Sequence, residues 1–146
     1  LSNFQSKKKF NIITYWDVFE HLVNLNEEIF FIKKFLDKNG YLIINLPDYD
    51  SKLRKILRYK WPFFLDTHLY YFTQKTISKL LEKNNFKFIE KKTPYQIFTL
   101  EFILKNAVHF FPFFKFILPL SYFFKLNKIK IKFNIGQSMY IFKINN

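Results

Sequence analysis

The chain has 146 residues, which is enough for one domain with a packed core and too few for two ordinary domains. Hydrophobic residues make up 49% of it and cysteine is absent, so the composition excludes a disordered chain, a disulfide framework, a thiolate metal site and a cysteine nucleophile. All but two of the 24 cationic residues behind the net charge of +13 are lysines, the exceptions being Arg54 and Arg58. Because arginine is favoured for contacts with phosphates and base edges, we predict no specific nucleic-acid partner.

Residues 10–46 predict a strand, a helix and a second strand. Residues 10–16 (FNIITYW) are apolar on both faces, as is typical of a buried parallel strand. Apolar residues then recur at spacings of three and four over residues 22–36, which predicts a helix that ends in a left-handed turn at Asn39–Gly40. Residues 41–46 (YLIINL) predict the second strand. A right-handed crossover brings the carboxyl ends of both strands to one sheet edge, where open α/β sheets bind ligands.

The segment that follows predicts a lid, another helix and further strands. Residues 48–67 lack clean periodicity and contain WPFF, so we expect an irregular segment with one helical turn that covers the site. Thr73 is placed to cap the next helix. Residues 86–90 predict a third strand, and residues 138–144 (SMYIFKI) alternate well enough for a fourth.

Residues 95–107 predict a helix, and residues 107–126 are the most apolar stretch of the chain. Two lysines and two prolines interrupt this stretch, and both residue types are costly inside a membrane-spanning helix. We therefore predict an aromatic, lysine-flanked hairpin that packs on the domain or makes a peripheral contact with a membrane surface. We interpret His109, which lies among phenylalanines, as a packing or interfacial residue. The predicted location is cytoplasmic, with membrane association through residues 107–126 as an open alternative.

Three sequence blocks, taken together, resemble a known enzyme family. They are residues 15–22 (YWDVFEHL), residues 36–47 (LDKNGYLIINLP) and residues 68–73 (HLYYFT). In this order they resemble the class I S-adenosylmethionine-dependent methyltransferases, and most closely the branch of ubiquinone-type O-methyltransferases. That branch carries an Asp-Val-Leu-Glu-His motif after its fourth strand, a Leu-Lys-Pro-Gly-Gly turn before its fifth, and a His-Leu-x-x-Phe-Thr segment before a helix.

The resemblance implies an α/β fold, a Rossmann-like methyltransferase sheet that is partial and consists of strands four to seven with flanking helices. We expect residues 1–146 to be the C-terminal part of one domain, with core strands and helices at 10–91, an aromatic-rich helical insertion at 94–134 and the last strand at 136–145. Nothing in the sequence resembles the family's first strand, glycine-rich cofactor loop or acidic residue after strand two. Residues 10–16 should therefore present an unpaired sheet edge.

The residues after the first strand are the candidate cofactor site. Trp16, Asp17 and Val18 stand at the carboxyl end of that strand, and the resemblance implies that they flank bound S-adenosylmethionine. A simpler alternative is that Asp17 only caps a turn.

His21 is the first candidate catalytic residue. It follows Asp17 by four residues at the same edge, and histidine suits the role of general base for a hydroxyl acceptor. Asp17, Glu20 and His21 also combine two carboxylates with an imidazole, a set that suits a divalent cation such as ubiquinone-type relatives require. A plain hydrogen-bond network is the third interpretation. Glu20 is also a candidate substrate contact.

His68 is the second candidate catalytic residue, because it resembles the family histidine at the substrate entrance. The alternative is a histidine that only binds a loop carbonyl. Trp61 and Asp66, upstream in the predicted lid, are candidate substrate contacts.

These features predict S-adenosylmethionine-dependent methyl transfer to a small-molecule acceptor, by a fragment that lacks the glycine-rich loop. The alternative is a non-catalytic, truncated methyltransferase that acts as a binding or membrane-surface module. RNA binding or methylation is a third hypothesis and rests on charge alone.

Overall fold

The computed structural model describes residues 4, 6 and 8–145, so the two ends of the predicted unit 1–146 lie outside it. This part of the chain contains six strands: Phe10–Trp16 (β1), Leu36–Pro47 (β2), Phe86–Lys92 (β3), Gln96–Thr99 (β4), Lys130–Phe133 (β5) and Gln137–Ile144 (β6). Five α-helices connect them: Leu25–Phe35 (α1), Lys52–Leu57 (α2), Gln74–Glu82 (α3), Leu100–Phe110 (α4) and Phe114–Phe123 (α5). Short 3-10 turns cover Phe19–His21 and Arg58–Lys60.

The main sheet has four strands in the order β1-β2-β6-β3. Strands β1 and β2 are parallel, while β6 lies between β2 and β3 and is antiparallel to both. The last strand of the chain thus inserts between two strands that precede it, and β1, β2 and β3 all run the same way. This arrangement confirms the predicted Rossmann-like α/β sheet with flanking helices.

Strand β1 is far more exposed than its composition suggested. Only Tyr15 is buried, and Ile12 and Trp16 are each 55% exposed. Among the described residues β1 pairs with β2 alone, so its other edge carries no ladder. The interpretation of β1 as a strand buried on both faces is therefore wrong for this structure, whereas the expected unpaired edge is present.

The core lies between the central strands and helices α1 and α3. Strands β2 and β6 contribute fully buried side chains such as Ile44 and Phe142. Helix α1 packs Ile29 and Ile32 against them, and α3 contributes Ile77. Burying a side chain of this size stabilises the fold by about 1.5–3 kcal/mol, so this cluster contributes strongly to the stability of the sheet.

The turn between α1 and β2 differs from the prediction. Asn24 caps α1 by accepting a hydrogen bond from the Glu27 backbone amide at 3.2 Å, but the helix ends at Phe35 rather than at Asn39–Gly40. Residues 37–40 form an irregular start of β2 instead. Gly40 is needed there for a close approach, because a Cβ at this position would lie 2.6 Å from the Leu36 side chain.

Residues 94–134 contain a helical hairpin flanked by two short strands. The predicted helix at 95–107 is correct only from Leu100 onward, because residues 96–99 pair with β5 in a separate two-stranded sheet. Helices α4 and α5 pack against each other across a short turn. No helix in the described part of the chain is long and apolar enough to cross a membrane.

Candidate functional site

Asp17 stands at the end of β1 in a strained position that its neighbours stabilise. Its φ of 52° lies in the left-handed region, which Asp tolerates better than most residues. Its backbone amide donates to the Asn45 carbonyl of β2 at 3.0 Å. Its Oδ1 accepts a 2.6 Å hydrogen bond from Gln137 Nε2 of β6. Three strands therefore fix one carboxylate at the carboxyl edge of the sheet.

Trp16 and Val18, the other predicted cofactor residues, flank Asp17 and are both exposed. An exposed carboxylate between two exposed apolar side chains presents both a polar and an apolar contact at a strand end. This surface suits a ligand with hydrogen-bond donors and a flat or apolar part.

The two candidate catalytic histidines lie side by side. The ring centroids of His21 and His68 are 4.6 Å apart in an edge-to-face arrangement. His21 Nδ1 lies 2.8 Å from the Thr67 carbonyl oxygen, and His68 Nδ1 lies 2.8 Å from that of Phe63. Because a carbonyl oxygen only accepts, each Nδ1 donates, and Nε2 is the lone-pair nitrogen of each neutral ring.

Glu20 is the third member of this cluster. It is only 2% exposed, and neither carboxylate oxygen has a hydrogen-bond partner in the described part of the chain. Its backbone carbonyl accepts from the amides of Leu69 and Tyr70 at 2.9 and 3.2 Å, which ties the turn after β1 to the segment that carries His68. One potential ligand atom from each of Glu20, His21 and His68 lies within 4.8 Å of the others.

The surroundings shift the proton affinities of this cluster. Burial raises the pKa of the Glu20 carboxyl and the nearby Asp17 carboxylate adds to this effect, although the Glu20 backbone amide and the His21 ring act in the opposite direction. Partial burial also raises the pKa of Asp17, although Gln137 and the two histidines act in the opposite direction. Burial lowers the pKa of His68, which favours its neutral ring. Shifted acids and bases around one edge are typical of functional sites.

Trp61 and Asp66 occupy different environments in the lid. Trp61 is buried, packs its ring against Phe63 and Phe64, and lies beside Gly136, where a Cβ would come within 2.7 Å of the indole nitrogen. Asp66 is exposed at the surface of the same segment. Of the predicted substrate contacts, Glu20 is therefore the one that the structure brings next to the histidines.

Sequence reasoning missed the polar residues that anchor the site from β6 and β3. Besides Gln137, these are a buried set at the start of the lid: Asp48, only 2% exposed, binds Lys91 Nζ at 2.6 Å and Ser138 Oγ at 2.9 Å. Asp48 also donates its backbone amide to the Gly136 carbonyl. Their only signal in the sequence is that polar side chains interrupt or adjoin apolar strands.

Comparison with known proteins agrees with this geometry. A family model described as a methyltransferase domain matches residues 2–91, which is more than half of the chain. The chain belongs to this methyltransferase-domain family. No curated protein sequence matches it significantly.

The fold of this methyltransferase domain is shared with solved structures of low sequence identity. They include an S-adenosylmethionine-dependent methyltransferase from Clostridium acetobutylicum (TM-score 0.54, 14% identity, covering 99% of this chain and 62% of the other). A second, from Thermotoga maritima, gives a TM-score of 0.52 at 14% identity, covering 97% and 60%. A Bacillus halodurans protein assigned as a methyltransferase gives 0.51 at 16% identity, covering 95% and 66%. The chain thus spans less than two thirds of the length of each neighbour.

Proposed function

We propose that this methyltransferase domain takes part in methyl transfer from S-adenosylmethionine to a small-molecule acceptor. The observation that carries the proposal is the clustering of Asp17, Glu20, His21 and His68 at the carboxyl edge of a methyltransferase-type sheet. When bound, S-adenosylmethionine supplies an electrophilic methyl group on its sulfonium. The residues of this chain then have two tasks, which are to position the acceptor and to remove its proton.

In this proposal the first three residues after β1 form one wall of the cofactor site. Trp16 and Val18 offer exposed apolar surface, and the Asp17 carboxylate, held by Gln137, offers a hydrogen-bond acceptor. His21 takes the proton of an acceptor hydroxyl, since Nε2 of its neutral ring carries the free lone pair. His68, with its lowered pKa, stays neutral beside it and orients the acceptor together with Glu20. Asp66 and Trp61 complete the proposed acceptor side from the lid.

We further propose that the chain supplies the C-terminal part of a larger sheet and belongs with the ubiquinone-type branch. The unpaired edge of β1 in the described part of the chain supports the first point, because a parallel neighbour would bury its exposed residues. The Asp17-to-His21 block supports the second. In this arrangement residues 10–91 and 136–145 form the sheet and its helices, and 94–134 form an insertion.

Titration calorimetry with S-adenosylmethionine tests the proposed division of the cofactor site. With only one wall present, the 146-residue chain should bind the cofactor poorly, and the protein expressed together with its upstream coding sequence should bind it well. Asp17→Ala should then weaken binding more than His21→Ala does. Micromolar binding by the 146-residue chain alone would contradict the proposed division, and equal losses in the two variants would contradict the role of Asp17.

A divalent cation is the second proposed role for this cluster. Glu20, His21 and His68 fit one chemically, because two imidazoles and a carboxylate suit transition metals and the buried Glu20 oxygens have no described partner. The carbonyls at each Nδ1 are of the kind that orients metal-binding histidines. This role and the base role of His21 exclude each other, since a nitrogen that holds a cation cannot accept a proton.

Chelation separates the two roles. If His21 is a base, the activity after treatment with EDTA should equal that before it. If the cluster holds a cation, EDTA should abolish activity and lower the melting temperature, and Mn²⁺ or Zn²⁺ should restore both in the native protein but not in Glu20→Gln. The matched variant Glu82→Gln, at the exposed end of α3, should respond like the native protein.

A specific observation favours a second candidate function, a module that binds an anionic membrane surface. One face of α5 and its caps exposes apolar side chains that no described element covers: Phe113, Phe116, Ile117, Leu120, Phe123 and Phe124. Phe116 and Phe123 are each 79% exposed. Residues 102–146 contain seven lysines and no acidic residue. An aromatic helix face flanked by lysines is complementary to anionic lipid.

Sedimentation with lipid vesicles tests this candidate. Vesicles that contain phosphatidylserine should pull down the protein, with binding that weakens as salt rises, whereas neutral phosphatidylcholine vesicles should not. The double variant Phe116→Ser, Phe123→Ser should lose this binding, and Val23→Ser, at an equally exposed apolar position near α1, should keep it. Equal binding by both variants would remove α5 as the membrane contact.

A further inference from the structure

A large apolar cavity lies between the lid and the helical hairpin. Its volume is about 610 Å³, which is within the range of about 300–1,000 Å³ that is usual for small-molecule sites. The lid contributes Leu53, Leu57 and Phe63 to its wall, and α4 contributes Phe102, Ala107 and Phe110. Only two lining residues, Asn106 and His109, are polar, and none carries an Asp, Glu, Lys or Arg side chain.

The absence of charged residues from the cavity wall is unusual for a chain of this composition. One residue in four is charged, at 24% of the sequence, yet none of them lines the cavity. An apolar surface of this extent gains free energy when a ligand removes it from water. The cavity therefore suits an apolar ligand and offers nothing to hold a phosphate or a carboxylate.

Phe63 connects the cavity to the histidine pair. Its side chain lines the cavity, and its carbonyl oxygen binds His68 Nδ1 at 2.8 Å. Its ring also lies parallel to the His68 ring, with the centroids 6.4 Å apart. A single residue thus forms the boundary between the apolar space and the polar edge with His21 and His68.

We infer that this cavity binds the apolar chain of the methyl acceptor, and that the acceptor is an amphiphile with a long hydrocarbon part. That the ligand is a methyl acceptor rests on the proposed methyl transfer, whereas its apolar character follows from the cavity itself. With the chain in the cavity, the polar head lies on the other side of Phe63, next to His68 and His21. The segment of residues 94–134 then has a function, since it supplies most of the chain-binding wall.

The size of the cavity limits the chain that it accepts. A water molecule takes about 30 Å³ in the liquid, so the cavity volume corresponds to roughly 20 non-hydrogen atoms. Each buried methylene strengthens binding about fourfold. Affinity should therefore rise steeply with chain length and then level off below about 20 carbons, when the cavity is full.

Displacement of dansyl-undecanoic acid by neutral n-alkanols of six to twenty carbons tests the inference. This measurement needs neither S-adenosylmethionine nor turnover. The native protein should show the fourfold steps and then a plateau. Ala107→Trp fills the cavity from α4 and should weaken dodecanol binding at least about tenfold. Leu57→Trp does the same from the lid and serves if the first variant fails to fold. Val23→Trp, at an exposed apolar position outside the cavity wall, should bind like the native protein.

The outcomes separate this inference from the proposed methyl transfer. If alkanols bind as described while no methyl transfer is found in the longer protein, the cavity is an apolar ligand site and only the enzymatic proposal fails. If affinity rises with chain length without a plateau, or if the double variant Phe116→Ser, Phe123→Ser weakens alkanol binding while Ala107→Trp and Leu57→Trp do not, the probe binds the surface of α5. Either of these last results would overturn the inference.

Discussion

The sheet edge around Asp17 and the hairpin of α4 and α5 distribute polarity in opposite ways. At the sheet edge a charged side chain, Glu20, is buried, and polar groups from β1, β2 and β6 meet there through hydrogen bonds. In the hairpin, large apolar side chains such as Phe116 and Phe123 are exposed. Burying a carboxylate without a partner and exposing a phenylalanine face both cost free energy or solubility. Each region therefore carries a feature that folding alone does not require.

The two regions therefore differ in the functions that their side chains can perform. The sheet edge holds groups that exchange protons or bind ions, and the rigid core of β2 and β6 fixes their positions. The hairpin offers mainly apolar surface and lysine, so it can bind chains or membranes but has little chemistry of its own. Reaction and recognition would then reside on different elements of the same fold.

The largest effect is expected at His21. In the protein with its complete cofactor site, His21→Ala should lower turnover by about 10² to 10⁴-fold, the usual contribution of a general base, and leave S-adenosylmethionine affinity nearly unchanged. The measurement is transfer of labelled methyl to an amphiphilic acceptor, with matched thermal melting as the control for folding. Added imidazole should restore part of the activity. A variant that keeps full turnover would show that positioning alone drives the transfer.

The second prediction concerns stability. Ile44→Ala removes a fully buried side chain from β2 and should lower the free energy of unfolding by about 2–5 kcal/mol. Phe116→Ala removes a larger side chain from the hairpin, but this residue is exposed, and the loss should stay within about 0.5 kcal/mol. Urea denaturation of both variants measures the contrast. A large loss in Phe116→Ala would show that its exposed face packs on something in solution.

These two regions also differ in how well the sequence predicts them. The strand, helix and strand of residues 10–47 follow from local periodicity, and the structure brings His21 and His68, both taken from the family motifs, next to each other. The exposure of β1 does not follow, because apolar composition does not reveal which neighbour pairs with a strand. Pairing of β4 with β5 joins residues more than 30 positions apart, beyond any local pattern. The same holds for the bond between Asp17 and Gln137.

Glu20 gives a pH-dependent prediction. Burial raises its pKa in the folded protein above the ordinary value of 4.5, so the folded state keeps a proton that the unfolded state has released. Stability should therefore fall as the pH rises above about 4.5, until the folded carboxyl also ionises. Glu20→Gln carries no such charge and should be more stable than the native protein at neutral pH by about 1–3 kcal/mol.

Urea denaturation between pH 4 and 8, in buffer that contains EDTA, measures this effect. The two proteins should have similar stability at the acid end and diverge as the pH rises. Glu82→Gln, which changes an exposed carboxylate, should follow the native curve within about 0.5 kcal/mol at every pH. Parallel curves for Glu20→Gln and the native protein would mean that the Glu20 carboxylate has a partner. Because the buffer contains EDTA, that partner could not be a bound cation.

The smallest effect is expected at His68, which lies between the two regions. It contacts the His21 ring at the sheet edge and Phe63 of the lid, so it lies between the proposed site of the acceptor head and the cavity wall. If it only orients the acceptor, His68→Ala removes about one hydrogen bond, worth roughly 0.5–1.5 kcal/mol. The KM for the acceptor should then rise about 2- to 12-fold while kcat changes little. Because burial lowers the pKa of His68, its ring stays neutral to more acidic pH than usual, and the KM effect should persist below pH 6.5.

Shortening the acceptor chain should raise KM to the same extent in native protein and His68→Ala, since the cavity acts on the chain and His68 on the head. A variant in which kcat falls as far as in His21→Ala would place His68 in the proton transfer itself, and chemistry would then extend from the sheet edge into the lid.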